Sequence, residues 1–166
     1  MSVIDIQKEL ARYYSKKNYL VCRECGLPTT EWSNYLQEEV PVKYSVRRAD
    51  FVAINTKKEI VIVETKSSKQ DFNTDKKWKE YLKSCNKFYF ASDESLAPYI
   101  LGKLKEENMH KIVGVIAYTP KSYDKLFFLN NAKKRDCDCF EDVLLKVAYR
   151  LSPYRYGTLV ENNCFK

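Results

Sequence analysis

No stretch of this chain approaches the roughly 18 consecutive apolar residues of a membrane-spanning helix, and no basic segment followed by an apolar one opens it. A spanning or secreted protein is therefore not expected, and the sequence reads as cytoplasmic. It shows no internal repeat, no low-complexity tract and no linker, so one domain is expected over residues 1–152, with 153–166 as a candidate mobile tail beyond Pro153. The lone histidine, His110, falls in a polar turn and reads as surface.

What is present points to a folded, basic protein. In a chain of 166 residues, 45% hydrophobic content excludes disorder and suits one adequate core. The formal charge of +7 makes a polyanion the expected partner. Lysines crowd into one segment, at positions 66, 69, 76, 77, 79, 83 and 87.

Periodicity predicts a mixed α/β fold. An amphipathic helix is expected over residues 2–17, with Ser2 and Asp5 at capping-box spacing. Residues 26–42 read as loop apart from a short helix near 32–37. Strands over 43–54 and 59–66 form an antiparallel hairpin around Thr56-Lys57-Lys58. A lysine-rich helix follows over 74–84, then a third strand at 87–92 beside the second. A helix over 95–107, strands at 112–118 and 125–129, and a helix over 140–151 complete the pattern.

The chemistry concentrates in Arg47-Arg48-Ala49-Asp50-Phe51 and Ile60-Val61-Ile62-Val63-Glu64-Thr65-Lys66. Period-two alternation puts Glu64 and Lys66 on the face that carries Ile60 and Ile62, with Val61 and Val63 opposite. Such a strand is buried on both sides, and charges at its end cost desolvation energy that ordinary packing does not require. Asp50 and Glu64 offer hard oxygens suited to Mg²⁺ or Mn²⁺. A cation held there would activate water and neutralise charge on a phosphate, with Lys66 stabilising the transition state.

The segment after the triplet adds specificity: Glu64-Thr65-Lys66-Ser67-Ser68, Asp71-Phe72, Asp75-Lys76-Lys77-Trp78, Tyr81, and Cys85-Asn86 before an aromatic strand. Over residues 39–91 this resembles the PD-(D/E)XK nuclease superfamily, and within it the MmcB-like DNA-repair group. Asn86 departs from the Asp usual in that group. The resemblance implies a restriction-endonuclease-like core, a mixed central sheet flanked by helices, with Asp50 and Glu64 as metal ligands and Lys66 as the catalytic lysine. It also implies a bracing pair four residues apart, matched by Lys77 and Tyr81, and a further acid. Glu9, on the apolar side of the first helix, and Glu39, upstream of Arg47-Arg48, compete for that last place. Trp78, Tyr81, Leu82 and Cys85 also fit a plain core stripe, and Asp71 and Asp75 fit an N-cap and a first-turn acid.

A DNA-binding surface is expected from Arg48, Lys69, Lys76, Lys77 and Lys79, with Lys133, Lys134 and Arg135 as the alternative path. Without a leader the six cysteines are expected as reduced thiols. Cys22-x-x-Cys25 has the spacing of half a zinc site, and Cys137-x-Cys139 completes structural Zn²⁺ coordination only if the fold joins the two pairs. The leading function is a metal-dependent DNA endonuclease of repair or recombination. The alternatives are a DNA-binding module of the same fold without effective catalysis, and a restriction or mobile-element nuclease. Duplex cleavage by a domain of this size favours a homodimer.

Overall fold

The computed structural model describes residues 2–28, 30–33, 37–41, 47–152, 154–155 and 158–159, with side chains described for 2–28, 37 and 47–152. The chain opens with α1 (Val3–Ser15), whose Ser2 and Asp5 form the expected capping box. Strands β1 (Leu20–Gly26), β2 (Thr30–Ser33), β3 (Glu38–Pro41), β4 (Arg48–Ile54) and β5 (Ile60–Thr65) follow. Then come α2 (Lys69–Thr74), α3 (Trp78–Tyr81), β6 (Lys87–Asp93), α4 (Ala97–Glu106), β7 (Val113–Tyr118), β8 (Leu126–Asn130) and α5 (Phe140–Leu151). Two short strands, β9 (Tyr154–Arg155) and β10 (Thr158–Leu159), pair antiparallel within the C-terminal segment.

Six strands form one mixed sheet in the order β1-β4-β5-β6-β7-β8. The expected β4–β5 hairpin is there, closed by Asn55, whose Oδ1 accepts from Lys57 N at 3.0 Å and Glu59 N at 3.1 Å, with Lys58 in the left-handed region. β6 runs parallel to β5 as expected, and β7 parallel to β6. Ile60 and Ile62 face one core with α3, α4 and α5, while Val61 and Val63 face the other beneath Ile6, Leu10 and Tyr14 of α1. Each of these four aliphatic side chains contributes about 1.5–3 kcal/mol by burial.

Three expectations fail for local reasons. The helix over 74–84 is broken: Asp75 leaves the helical region with ψ 108° and its Oδ1 accepts from Lys77 N at 2.9 Å. That side-chain turn ends α2 and lets α3 restart at Trp78. Trp78, Tyr81 and Cys85 are nevertheless buried as a core stripe. Of the short helix expected at 32–37, Trp32 and Ser33 lie instead in β2, which pairs antiparallel with β3, and residues 34–36 lie outside the described residues. β1, expected neither as a strand nor as a sheet edge, pairs antiparallel with β4. Its alternation is interrupted at Glu24, whose φ of 51° turns the chain so that Cys22 and Cys25 both enter the core. Residues 43–46 of the expected first hairpin strand lie outside the described residues. His110 is half-buried, its Nδ1 enclosed, instead of lying on the surface.

Asn86 ties the sheet to the segment before α5. Its Oδ1 accepts from Ile60 N at 2.7 Å and its Nδ2 donates to the Arg135 carbonyl at 2.8 Å. Aspartate would keep the first bond and set a carboxylate against the carbonyl of the second. Asn86→Asp is therefore expected to lower unfolding free energy by about 1–3 kcal/mol, measured by urea denaturation. A change below about 0.5 kcal/mol would show that the Arg135 contact carries no weight.

Candidate active site

Asp50 and Glu64 would form the next antiparallel pair beyond Phe51 and Val63, where the ladder between β4 and β5 stops. Their side chains take over the bonding there. Asp50 N donates to Glu64 Oε1 at 3.1 Å, while Thr65 N and Thr65 Oγ1 donate to Asp50 Oδ2 at 2.9 and 2.7 Å. Each carboxylate thus accepts a main-chain N–H of the opposite strand. Each also has a second oxygen outside these bonds.

Lys66, directly after β5, is only 5% exposed, as is Glu64. Its backbone continues the pairing with β6 through Lys66 N to the Ala91 carbonyl at 2.8 Å. Its Nζ donates to Asp75 Oδ2 at 2.6 Å and lies 4.0 Å from Glu64 Oε2 and 3.9 Å from Asp71 Oδ1. Burial opposes the lysine charge, but the Asp75 bond and the surrounding carboxylates outweigh it and hold its pKa above the usual value. Burial first, and the neighbouring Asp50 charge second, push Glu64 up to about 8.

The further side chain from α1 is Gln7, not Glu9. Gln7 Oε1 accepts from Arg23 Nε, and Gln7 Nε2 donates to Thr65 Oγ1 at 3.4 Å, so a buried chain Arg23–Gln7–Thr65 ends on Asp50. Glu9 instead pairs with Arg12 at 2.8 Å and Lys125 at 3.2 Å. The signal for Gln7 was legible: it sits among Ile6, Leu10 and Tyr14 on the buried face of an amphipathic helix, the criterion that had pointed to Glu9. Glu39 lies in β3, and its side chain is outside the described residues. Asp75 also belongs to the site as the partner of Lys66, and Asp71, which accepts from Ser67 N while Ser68 caps α2, lies beside it.

Tyr81 reaches the site, its hydroxyl donating to the Arg48 carbonyl at 3.4 Å. Burial, then the charges of Glu64, Asp75 and Asp50, raise it to about 12. Lys77 is exposed: it stands at the N-cap of α3, one helical turn before Tyr81, and its backbone N donates to Asp75 Oδ1 at 2.9 Å. Among the proposed DNA contacts, Arg48 pairs with Glu24 at 2.8 Å and Lys79 with Glu107 at 3.1 Å. Lys69 lies over the Tyr99 ring, 4.8 Å from its centroid. Lys76 and Lys77 are exposed and form no ion pair among the described residues. On the alternative path Lys134 pairs with Glu59 at 3.1 Å and Arg135 turns toward Cys85.

The cysteine pairs stay apart. Cys22 and Cys25 are fully buried, and Cys137 Sγ lies 2.8 Å from Cys139 Sγ beside the Lys83 carbonyl. Among the described residues no group of three or more His, Cys, Asp or Glu side chains is arranged to hold a metal, so the four thiols make no common site. Asp50 and Glu64 are a pair, which matches a cation that takes its other ligands from water or phosphate.

The six-stranded sheet, helices on both faces and polar groups where β4 and β5 part define an α/β fold consistent with a restriction-endonuclease-like core. The chain belongs to the DNA repair protein MmcB-like family, which it matches over residues 10–104, more than half its length. Among solved structures it is similar to the SPO1766 protein of unknown function from Silicibacter pomeroyi, at 20% identity and a TM-score of 0.57. That likeness covers 85% of this chain and 80% of the other, and shows the fold. No curated protein matches the chain. No helix among the described residues is long and apolar enough to cross a membrane.

The state of Glu64 has a measurable consequence. Its carboxyl keeps a proton to about pH 8 when folded, against an ordinary value of 4.5. Between these values the folded state binds more protons than the unfolded one, so the contribution to stability falls as pH rises, by at most about 1.4 kcal/mol per unit. Urea melts in chelator from pH 5 to 8 should show wild type losing stability relative to Glu64→Gln as pH rises. A difference that does not change with pH would mean Glu64 titrates as an ordinary carboxylate.

Proposed function

We propose that this protein is a PD-(D/E)XK-type deoxyribonuclease that hydrolyses phosphodiester bonds with Mg²⁺ or Mn²⁺, in the service of DNA repair. The observation that carries the reading is the convergence of Asp50, Glu64 and Lys66 at the opening between two buried strands, where the acids face each other and the lysine is 4.0 Å from one of them. Asp50 and Glu64 fit a hard divalent cation by donor type, by their second oxygens and by the pressure burial puts on Glu64 to find a positive partner. Such a cation would supply Lewis-acid activation of water and neutralise charge on the phosphate.

The chain's own groups do the rest. Thr65, held by Gln7, fixes the Asp50 carboxylate through two hydrogen bonds to one oxygen, which leaves the other a defined direction. Lys66, kept charged by its carboxylate neighbours, places an ammonium where negative charge builds on the phosphate. Phe90 beneath it, 5.9 Å from Nζ to the ring centroid, excludes water from that side. A second reading, a DNA-binding module with little turnover, draws on the 2.6 Å bond from Lys66 to Asp75, which must loosen before the ammonium can serve a phosphate.

Cleavage of duplex, single-stranded and branched DNA with Mn²⁺ or Mg²⁺ separates the two. Asp50→Ala and Glu64→Ala should abolish cutting while the protein stays folded, and Lys66→Ala should slow the chemical step by about 10²–10³. Either acid variant cutting at the parental rate, or DNA bound and never cut by wild type, would sink the nuclease reading.

DNA affinity tests the basic surface separately. Lys76 and Lys77 are exposed and form no ion pair among the described residues, so each Gln substitution should reduce the slope of log K against log salt by about 0.9 on duplex DNA. Arg48 and Lys79, already paired with Glu24 and Glu107, should change it less. Equal effects at all four positions would mean these ion pairs open in the complex.

A further inference from the structure

At the end of the sheet opposite Asp50 and Glu64, a half-open cleft of about 200 Å³ lies beneath the last turn of α1. It is walled by aromatic rings in sequence: Tyr19 against Tyr14, Tyr14 against Tyr13, Tyr13 against Phe128, and Phe128 against Tyr89, with centroids 5.1–5.5 Å apart. The Tyr89 wall is built in by Gly114, where a Cβ would come within 2.3 Å of the tyrosine ring. Lys17 and Lys87 line the opening, and the Lys17 ammonium sits 4.7 Å from the Tyr13 ring centroid.

We infer that this cleft is a nucleotide site, taking one planar base among the tyrosines with its phosphate on Lys17 and Lys87. Size limits the occupant first: pockets for drug-sized ligands run from roughly 300 Å³ upward, so this one holds a single ring system and not a stacked pair. Charge then decides between the ligands an aromatic wall can take. A quaternary ammonium would be attracted by the ring faces but repelled by the lysines already beside them. Here the lone carboxylate of the lining, Glu59, is already met by the Tyr19 hydroxyl at 2.7 Å and by Lys87 and Lys134 at 3.1 Å each. With Lys17 added the cations outnumber it, and the cleft favours an anion. A flat ring that carries an anion, and whose edge offers donors and acceptors to Glu59 and Asn131, is a nucleobase with its phosphate.

The base can come from a free nucleoside monophosphate or from an unpaired nucleotide of a DNA strand. Five residue steps along β5 and its flank separate Glu59 from Glu64, roughly 17 Å at strand spacing, so this site is distinct from the carboxylate pair and its test does not depend on cleavage.

Amide NMR titrations of the intact chain with dAMP, deoxyadenosine, inorganic phosphate, a single-stranded oligonucleotide and its duplex provide that test. Binding of dAMP should shift amides at 13–19, 59–61 and 87–89. Lys17→Gln or Lys87→Gln should weaken dAMP by about fivefold and leave deoxyadenosine unchanged, whereas Tyr13→Leu, with its fold checked by the same spectra, should weaken both. Shifts of these amides by single strand and not duplex identify an unpaired nucleotide as the source; shifts by dAMP alone identify the free nucleotide. The inference is overturned if about 5 mM dAMP and the single strand both leave these amides unmoved, or if the shifts persist unchanged in the Lys17 and Tyr13 variants.

Discussion

The structure turns on the exchange of hydrogen bonds between Asp50, Glu64 and Thr65 at the point where β4 and β5 stop pairing. Main-chain donors buried at a sheet's parting would be costly if left alone. Two carboxylates satisfy them, and in doing so are held facing each other. The same contacts that close the sheet's bonding therefore bring together two groups that repel. That cost is met by a sheet centre in which Ile60, Val61, Ile62 and Val63 are all buried. Around it, Lys66, Asp75 and the Arg23–Gln7–Thr65 chain form a polar layer with few loose ends.

Much of this was legible because it depends on period and residue type. β5 reads as a strand buried on both sides, its hairpin with β4 follows from Thr56-Lys57-Lys58, and α5 over Phe140–Leu151 has the bounds its periodicity predicts. What escaped depends on single residues overriding a pattern. Asp75 uses its side chain to stop a helix that lysine and aromatic spacing would have continued, so the expected single helix becomes two short ones. Glu24 takes a left-handed conformation, and the two side chains of the Cys-x-x-Cys segment both lie in the core.

The site shows the same division. The two acids and the lysine announce themselves by being charged at the end of an apolar strand. Gln7 and Thr65 do not, because a neutral amide and a hydroxyl carry no such contradiction until their partners are known. Tyr81 is signalled by its spacing and reaches the site from a short helical turn, its hydroxyl donating to the Arg48 carbonyl.

The double-sided burial of β5 also bears on how the two strands find their alignment. A strand apolar on one face only is held in register by its own pattern, since slipping one place would turn its greasy side to water. β5 has no such guard: shifted by one residue it would still present isoleucine or valine to both cores. Alignment must then come from polar fixtures, namely Asn55 at the turn, Asn86 on Ile60, and the carboxylates themselves at the far end. The acidic pair thereby acts as a latch on strand alignment, and a chain that lost both charges to gain stability would risk trading one well-defined sheet for two that are nearly equivalent.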